Sequence, residues 1–325
     1  MSNNNDPIKV SIEDTGQRLD KFVASRTENL SFVAIQKLLR TGQIRIDGKR
    51  AVGKKRIETG NSIRIPSIFR NLKKSKFISY TELNDDLQNF VNDSILYKDK
   101  EIVAVNKPAG LAVQGGSRIY DHVDGLLDYF RFESPYRPQL LHRIDKETSG
   151  VLLLSRKPDT TRRLSEAFRN REVKKIYWAF VIGHMPKTSG SINAPLATIN
   201  SKNFERAAFD LDGKECKTIY NVLWKGDFKN TKLSLVEFLP ETGRKHQIRA
   251  HCNHLGCSII GDNKYINKSH RELKHLHQFS SNMQLHAREI GIPDIEGITL
   301  RIKAPIPEHM LNIMEILKLS KDILN

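Results

Sequence analysis

The sequence predicts an α+β protein: a mixed, mainly antiparallel sheet with a small basic domain in front of it. Three observations lead there. Strand-like apolar runs dominate from about residue 91 to 315. Helical patterns fall between only some of those runs, which argues against a doubly wound parallel sheet. Ahead of them, residues 14–66 pattern as two short helices followed by small strands.

The elements follow in chain order. Residues 1–13, which open MSNNNDPIKV, show no charged-then-apolar leader layout and read as a disordered tail. Leu19, Phe22 and Val23 recur at helical spacing after Thr15-Gly16. Ser31 can cap a second helix, whose Ile35, Leu38 and Leu39 make one apolar stripe and which Gly42 ends. Gln43-Ile44-Arg45-Ile46 alternates like a strand, and Asp47-Gly48 signals a hairpin, because both central positions of that turn need positive φ. Ile63-Arg64-Ile65 closes the unit. Residues 67–90 carry Lys73, Lys74 and Lys76 and then Asp85-Asp86 without lasting periodicity, and read as a linker. Residues 91–325 hold the strand-like runs 102–105, 151–154, 177–182, 219–223 and 233–236, with helical patterns at 159–170 and 244–255.

Charge narrows the class of partner. The 53 Lys and Arg outnumber the 37 Asp and Glu, a formal +16, which points to a polyanion. The small domain concentrates that charge in Arg18, Lys21, Lys37, Arg40, Arg45, Lys49 and Arg50, with Lys54, Lys55 and Arg56 beyond. A solvated face is the plain alternative; clustering favours phosphate contact. No apolar run reaches 18 residues, so no membrane span is expected. Three cysteines, an odd and sparse count, fit a reducing compartment, with the cytoplasm as the default.

The most unusual layout is at 140–157. A polar loop with His142, Arg143, Asp145, Lys146, Thr148 and Ser149 runs straight into an apolar strand, with Gly150 at the junction. Arg143 and Lys146 flank Asp145 and favour its charged form. An ionised carboxylate is a competent nucleophile or electrostatic stabiliser and a poor general acid. From the residues alone, a turn or cap aspartate explains it as well.

Resemblance adds to this reading. Arg18-Leu19-Asp20, followed by Leu38-Leu39-Arg40-Thr41-Gly42-Gln43-Ile44-Arg45-Ile46-Asp47-Gly48-Lys49, resembles the alpha-L RNA-binding domain over about fifty residues. His142-Arg143-Ile144-Asp145-Lys146-Glu147-Thr148-Ser149-Gly150 resembles the signature of the RluA family of pseudouridine synthases, with Ile where Leu is usual. Asn106-Lys107-Pro108-Ala109-Gly110, Lys175-Ile176-Tyr177 and Thr242-Gly243-Arg244-Lys245-His246-Gln247-Ile248-Arg249 resemble three further motifs of that family, in the same order. Residues 102–116 are most similar to its RluC branch, which implies large-subunit (23S) ribosomal RNA as partner.

The resemblance implies conversion of uridine to pseudouridine without redox step, metal or cofactor, by a monomer, on a base drawn out of its stack. It implies a catalytic carboxylate at Asp145, nucleophile or sugar stabiliser. It implies an arginine partner for it at Arg249, and at Tyr177 a tyrosine that packs on the base and is placed for the proton step. Arg143, His142, Ile248 and Lys107 become substrate-binding candidates: Arg143 to displace the base, Ile248 to wall the uracil pocket, Lys107 to shape it. Each has an alternative: strand core for Tyr177, a phosphate contact for Arg249, simple packing for Ile248.

Two other readings are weaker. His251, Cys252, His254 and Cys257 would have to surround a zinc ion from one short helix, which tetrahedral geometry resists. Gly110, Gly115 and Gly116 lack the spacing and following helix of a nucleotide-binding loop. The leading rivals in function are a non-catalytic RNA-binding or ribosome assembly factor, and a synthase acting on transfer RNA or other ribosomal sites. His275 and His277 read as one face of a strand.

Overall fold

The computed structural model describes residues 6–320 apart from 28–29, 70–82, 116–120, 201–204, 272, 274–275, 277–278, 280–281 and 294–298. Lys73, Lys74, Lys76, Gly116, His275 and His277 therefore lie outside the described residues. The small domain comprises β1 (Ile8–Lys9), α1 (Leu19–Ser25), α2 (Phe32–Arg40), β2 (Arg45–Ile46) and β3 (Ser62–Arg64). Then come α3 (Asp85–Asp93), β4 (Ile95–Lys98), β5 (Ile102–Lys107), α4 (Val123–Leu126), β6 (Gln139–Leu140), β7 (Ser149–Ser155), α5 (Pro158–Arg169) and β8 (Lys174–Ile182). The chain continues through β9 (Ser189–Asn193), β10 (Leu196–Asn200), β11 (Glu205–Phe209), β12 (Lys217–Phe228), β13 (Thr231–Pro240) and α6 (Gln247–His254). It ends with α7 (Lys268–Arg271), β14 (Leu285–Pro293), β15 (Thr299–Lys303) and α8 (Glu308–Ile316).

In the small domain, Leu19, Phe22 and Val23 of α1 and Ile35, Leu38 and Leu39 of α2 share one core with Ile44, Ile46, Ile57 and Ile63. Ser31 caps α2 by accepting the Ala34 N–H. Asp47 and Gly48 take φ of 49° and 74°, the turn their sequence signalled. Two expectations change here. The tail is not disordered up to residue 13, because Ile8 and Lys9 pair with Ile63 and Ser62 and extend the sheet. The strand expected over 43–46 shortens to β2, because the Gln43 and Ile44 N–H groups close α2 by bonding the Leu38 carbonyl.

The expected linker also shortens. Asn84 caps α3 by accepting the Leu87 N–H at 2.9 Å, Asp85 and Asp86 fill its first turn, and Leu87 and Phe90 enter the large core. A capping residue followed by two acids is a helix-start signal; two apolar residues three apart then suffice to anchor it. Phe69, just after β3, packs instead on the small domain. Arg56 Nη1 reaches from the small domain to Gln139 Oε1, and Lys21 lies 3.7 Å from Asp124.

The large domain is built on one ten-stranded sheet, ordered β4-β5-β7-β14-β8-β13-β12-β9, with β15 on β14 and β6 on β7. Only the β7–β14 pairing is parallel, so the sheet is mixed and mainly antiparallel. Side chains alternate between its faces as the pleat requires. Val103, Val105, Leu152 and Leu154 face α3 and α4, while Ile102, Ala104, Val151 and Leu153 face α5. Ala179, Val181, Val236 and Phe238 lie on the α6 side, and Trp178, Phe180, Ile182, Leu233 and Leu235 on the α8 side.

Gly150 makes the parallel junction possible. It pairs with Ala287, has φ 108°, and a Cβ there would fall 2.2 Å from the Ala287 carbonyl oxygen. Only glycine lets the two backbones approach so closely. The loop carrying Asp145 enters β7 at this junction. No helix among the described residues is long and apolar enough to cross a membrane.

Candidate active site

Residues 142–148 join β6 to β7, and two features hold their backbone. Lys107, wholly buried, donates through Nζ to the carbonyls of Pro108, Leu111 and Lys146 at 2.7, 2.8 and 3.0 Å. The Gly110 N–H donates to the same Lys146 carbonyl, also at 3.0 Å. The Lys-Pro-Ala-Gly motif thus grips the residue after Asp145. Of the two readings of Lys107, a substrate-binding residue or one that shapes the pocket, the contacts favour the second: its ammonium meets carbonyls inside the protein, and it lines neither cavity beside Asp145. Burial brings its pKa down to about 7, against the opposing pull of Glu147 and Asp145.

Arg249, in the first turn of α6, crosses to the loop. Nη1 donates to Asp145 Oδ2 at 3.2 Å, while Nε and Nη2 donate to Asp262 at 2.7 and 2.8 Å. Asp262 is almost fully buried and also accepts the N–H groups of Lys264 and Tyr265. Burial alone would lower the Arg249 pKa; bonding to Asp262 and the charges of Asp262 and Asp145 outweigh it and raise the value. The guanidinium therefore stands between two carboxylates as a permanent cation.

Helix α6 begins at 247 rather than 244, because Thr242, Arg244 and Gln247 build a turn ahead of it. The Gln247 side chain accepts from Thr242 Oγ1 and the Arg244 N–H and donates to the Lys217 carbonyl and Thr218. That network fixes the first turn of α6 and with it the direction of Arg249. Ile248 is buried beside Phe238 and Cys252 and also lines the cavity, so packing and wall coincide.

Two cavities meet at Asp145. One, of about 520 Å³, is lined by Asp145, Tyr177, Ile248, Arg249, Arg143 and His142 among others. The second, of about 580 Å³, lies on the other side, against Lys245, Lys264 and the Ala112–Gly115 segment. Tyr177 projects from β8; burial, then the Asp145 charge, raises its pKa, so the phenol keeps its proton. Arg143 is exposed and lines both cavities. His142 lines the first, but its ring is held from behind: Nε2 accepts the Leu153 N–H at 3.0 Å and the ring stacks on Phe168. Burial and nearby Lys175 push it down to about 3, so it is neutral.

The structure thus gathers Asp145, Tyr177, Arg249, Arg143, His142 and Ile248 at one cavity. In the small domain, Lys21, Lys37, Arg40, Lys49 and Arg50 are exposed. Arg18 is committed to Asp20 by two bonds, and Arg45 to the carbonyls of Gly42 and Gly48. Asp262 and Tyr265 escaped the sequence reading; the one clue was that a buried arginine beside a single carboxylate needs a second anion. His251, weighed as a zinc ligand, bonds Thr218 and the Ala194 carbonyl through its two ring nitrogens. Groups of three or more metal-ligating side chains are absent among the described residues.

The site is a fixed carboxylate–guanidinium pair in a polar cleft, on a mixed sheet with a basic domain attached, and the class of enzyme comes from what the chain is similar to. The family model described as RNA pseudouridylate synthase matches residues 101–254. A Buchnera aphidicola subsp. Baizongia pistaciae protein named ribosomal large subunit pseudouridine synthase C is 38% identical over 289 residues, 87% of this chain and 88% of its own. A Rickettsia typhi protein of the same name is 33% identical over 294 residues, 89% and 94% of the two chains. The solved structure titled human RNA pseudouridylate synthase domain containing 4 superposes with a TM-score of 0.59 at 28% identity, over 72% of this chain and 97% of its own. The chain belongs to the RluA family of RNA pseudouridine synthases, an isomerase that makes pseudouridine, as its motifs implied.

Proposed function

We propose that this enzyme isomerises specific uridines of large-subunit (23S) ribosomal RNA, with Asp145 as the reacting carboxylate on a flipped-out nucleotide. One observation carries the reading: Arg249, anchored by Asp262, holds one oxygen of Asp145, and Asp145 lines both cavities. The names of the relatives, ribosomal large subunit pseudouridine synthase C, support the choice of RNA.

The chemistry balances within the nucleotide. The N1–C1′ bond breaks, the uracil turns, C5 bonds to C1′, the C5 proton leaves and N1 gains one. Product and substrate are isomers, so no oxidant or reductant is consumed. Asp145 acts as nucleophile or as stabiliser of the detached sugar, and Arg249 orients it for both. Tyr177 packs on the base with Ile248 opposite. Its proton is tightly held, so it serves better as wall and hydrogen-bond donor than as the acceptor of the C5 proton. Arg143, exposed between the cavities, fills the space the flipped base leaves. Extruding a base costs roughly a few kcal/mol, and the phosphate contacts of Lys21, Lys37, Arg40, Lys49 and Arg50 offset this.

The test is carbodiimide mapping of ribosomal RNA from cells lacking the gene, complemented with wild type or Asp145→Asn. Stops should return in large-subunit RNA with wild type and not with the variant. Stops that return with Asp145→Asn at wild-type level remove Asp145 from its role. Stops restored only in transfer RNA remove the ribosomal substrate.

A further inference from the structure

His246 immediately precedes α6 and has φ 53° and ψ 26°, a left-handed backbone uncommon outside glycine. That conformation turns its ring away from the helix and between Tyr265 and Asp145. Nδ1 lies 2.9 Å from the Tyr265 hydroxyl oxygen. The same oxygen accepts the Ala207 N–H at 2.7 Å. A phenol has one proton to give, and with Ala207 donating to the oxygen, the arrangement that gives that proton a partner sends it to Nδ1. Nδ1 is then an acceptor and the imidazole proton sits on Nε2, which lies 3.8 Å from Asp145 Oδ1.

We infer that His246 is a positioning residue for Asp145: the Tyr265 hydroxyl fixes its proton on Nε2, which faces Oδ1 while Arg249 holds Oδ2. This rests on Asp145 being the reacting carboxylate. The 3.8 Å separation is longer than a hydrogen bond; such distances in a catalytic site tighten when substrate seats. Oδ1 then has one donor beside it and one open side, toward the substrate. A single turn organises both partners of the carboxylate. Asp262 anchors Arg249 and accepts the Tyr265 N–H, and Tyr265 in turn sets His246. The Arg249 guanidinium also lies over the Tyr265 ring, 4.9 Å from its centre.

The charges around the ring keep it neutral. Burial acts first, and Arg249, Lys264 and Lys245 add to it, while Asp145 opposes them; the pKa falls to about 4. Tyr265 faces the other nitrogen with its own proton firmly held, burial pushing its pKa up to about 12. A cationic ring would carry protons on both nitrogens, and Nδ1 could no longer accept the Tyr265 proton.

Two measurements on the full-length enzyme test this. Nitrogen-15 spectra of histidine-labelled protein should show His246 protonated on Nε2, without titration near pH 6.5, and Tyr265→Phe should mix the tautomers. Single-turnover kinetics should separate two amides. His246→Gln puts an N–H near the Nε2 position and should hold kcat within about 10-fold; His246→Asn reaches only as far as Nδ1 and should lose roughly 100-fold, with KM little changed. Strain predicts the opposite order, since a left-handed backbone suits Asn better than Gln. Tyr265→Phe should also move the acid limb of kcat upward in pH. A proton on Nδ1 in the wild type, equal losses for Gln and Asn, or an unmoved acid limb in Tyr265→Phe overturns the inference. Retained activity in Asp145→Asn overturns the function reading instead, and leaves the tautomer result to stand or fall alone.

Discussion

Replacing Asp262 with Asn should expose how the site is held. The residue is 1% exposed, and its carboxylate accepts two Arg249 bonds, at 2.7 and 2.8 Å, plus two backbone N–H groups. Asn keeps one oxygen and the shape. It removes the charge and sets an amide N–H against a guanidinium N–H. Breaking one partner of a buried pair costs roughly 3–5 kcal/mol. Asp145 still offers Arg249 a carboxylate at 3.2 Å, which places Asp262→Asn at about 3 kcal/mol, the lower end of that range. At roughly 2–4 °C per kcal/mol for a domain of this size, the melting temperature should drop by about 6–12 °C. With its anchor gone, Arg249 is free to shift toward Asp145, and misplacement of about 1 Å is enough to cost roughly 100-fold in kcat. Calorimetry at pH 7 and single-turnover pseudouridine formation read the two effects. Adding Arg249→Met removes the orphaned cation, so the double variant should be more stable than Asp262→Asn and equally inactive. A melting temperature within about 1 °C of wild type, or a double variant that simply sums two losses, would show that Asp262 is not the counter-charge described.

Other consequences follow from the same geometry. Gly150→Ala sets a Cβ 2.2 Å from the Ala287 oxygen at φ 108° and should destabilise by roughly 2–5 kcal/mol, read by urea unfolding; an unchanged midpoint would refute the close approach. Folded Lys107 loses its proton near pH 7 but the unfolded chain near 10.5, so between those values the unfolded state binds more protons and stability rises with pH. Lys107→Met should flatten that rise between pH 7 and 9 and lower stability by roughly 1–3 kcal/mol for the unpaired carbonyls; an identical pH slope would count against it. Lys37, Arg40, Lys49 and Arg50 are exposed, so changing all four to Ala should leave the fold intact. RNA affinity should fall, and the slope of log affinity against log salt should shrink by about 0.7 for each phosphate no longer neutralised; an unaltered slope would release this face from RNA binding.

The fold was legible where periodicity reports burial on its own. The apolar runs of β5, β7, β8 and β13 are the sheet's buried strands, and Asp47-Gly48 turns as its residues require. What sequence hid depends on partners distant in the chain. β1 exists because β3 offers an unpaired edge to Ile8 and Lys9. The end of the linker is helical because Leu87 and Phe90 find a core made by β5 and β7. Lys107 could be expected to shape the pocket from its motif, while the three carbonyls it holds have no sequence signal. Asp145 and Arg249 could be paired only through resemblance, for 104 residues separate them.

The sheet explains why so long a separation still gives a fixed site. Ala287 on β14 pairs with Gly150 on one side and with Tyr177 on the other. Gly150, Ala287 and Tyr177 therefore lie in line across three adjacent strands, each step about 4.8 Å. The loop bearing Asp145 leads into the first strand of that line, and Tyr177 stands on the third. Ala287 in the middle is small and buried, in the same core that holds Ile144 and against which Tyr177 packs. A slip of β8 by one residue would carry Tyr177 to the face that Trp178 and Phe180 now hold, and bring an aliphatic or indole group beside the carboxylate. The register of β8 is pinned by Ala179 and Val181 on one face and Trp178, Phe180 and Ile182 on the other, all buried. Burying each such large side chain contributes roughly 1.5–3 kcal/mol, so the slipped register forfeits several at once. The apolar run that identifies β8 as a strand is thus also what aims its tyrosine at Asp145.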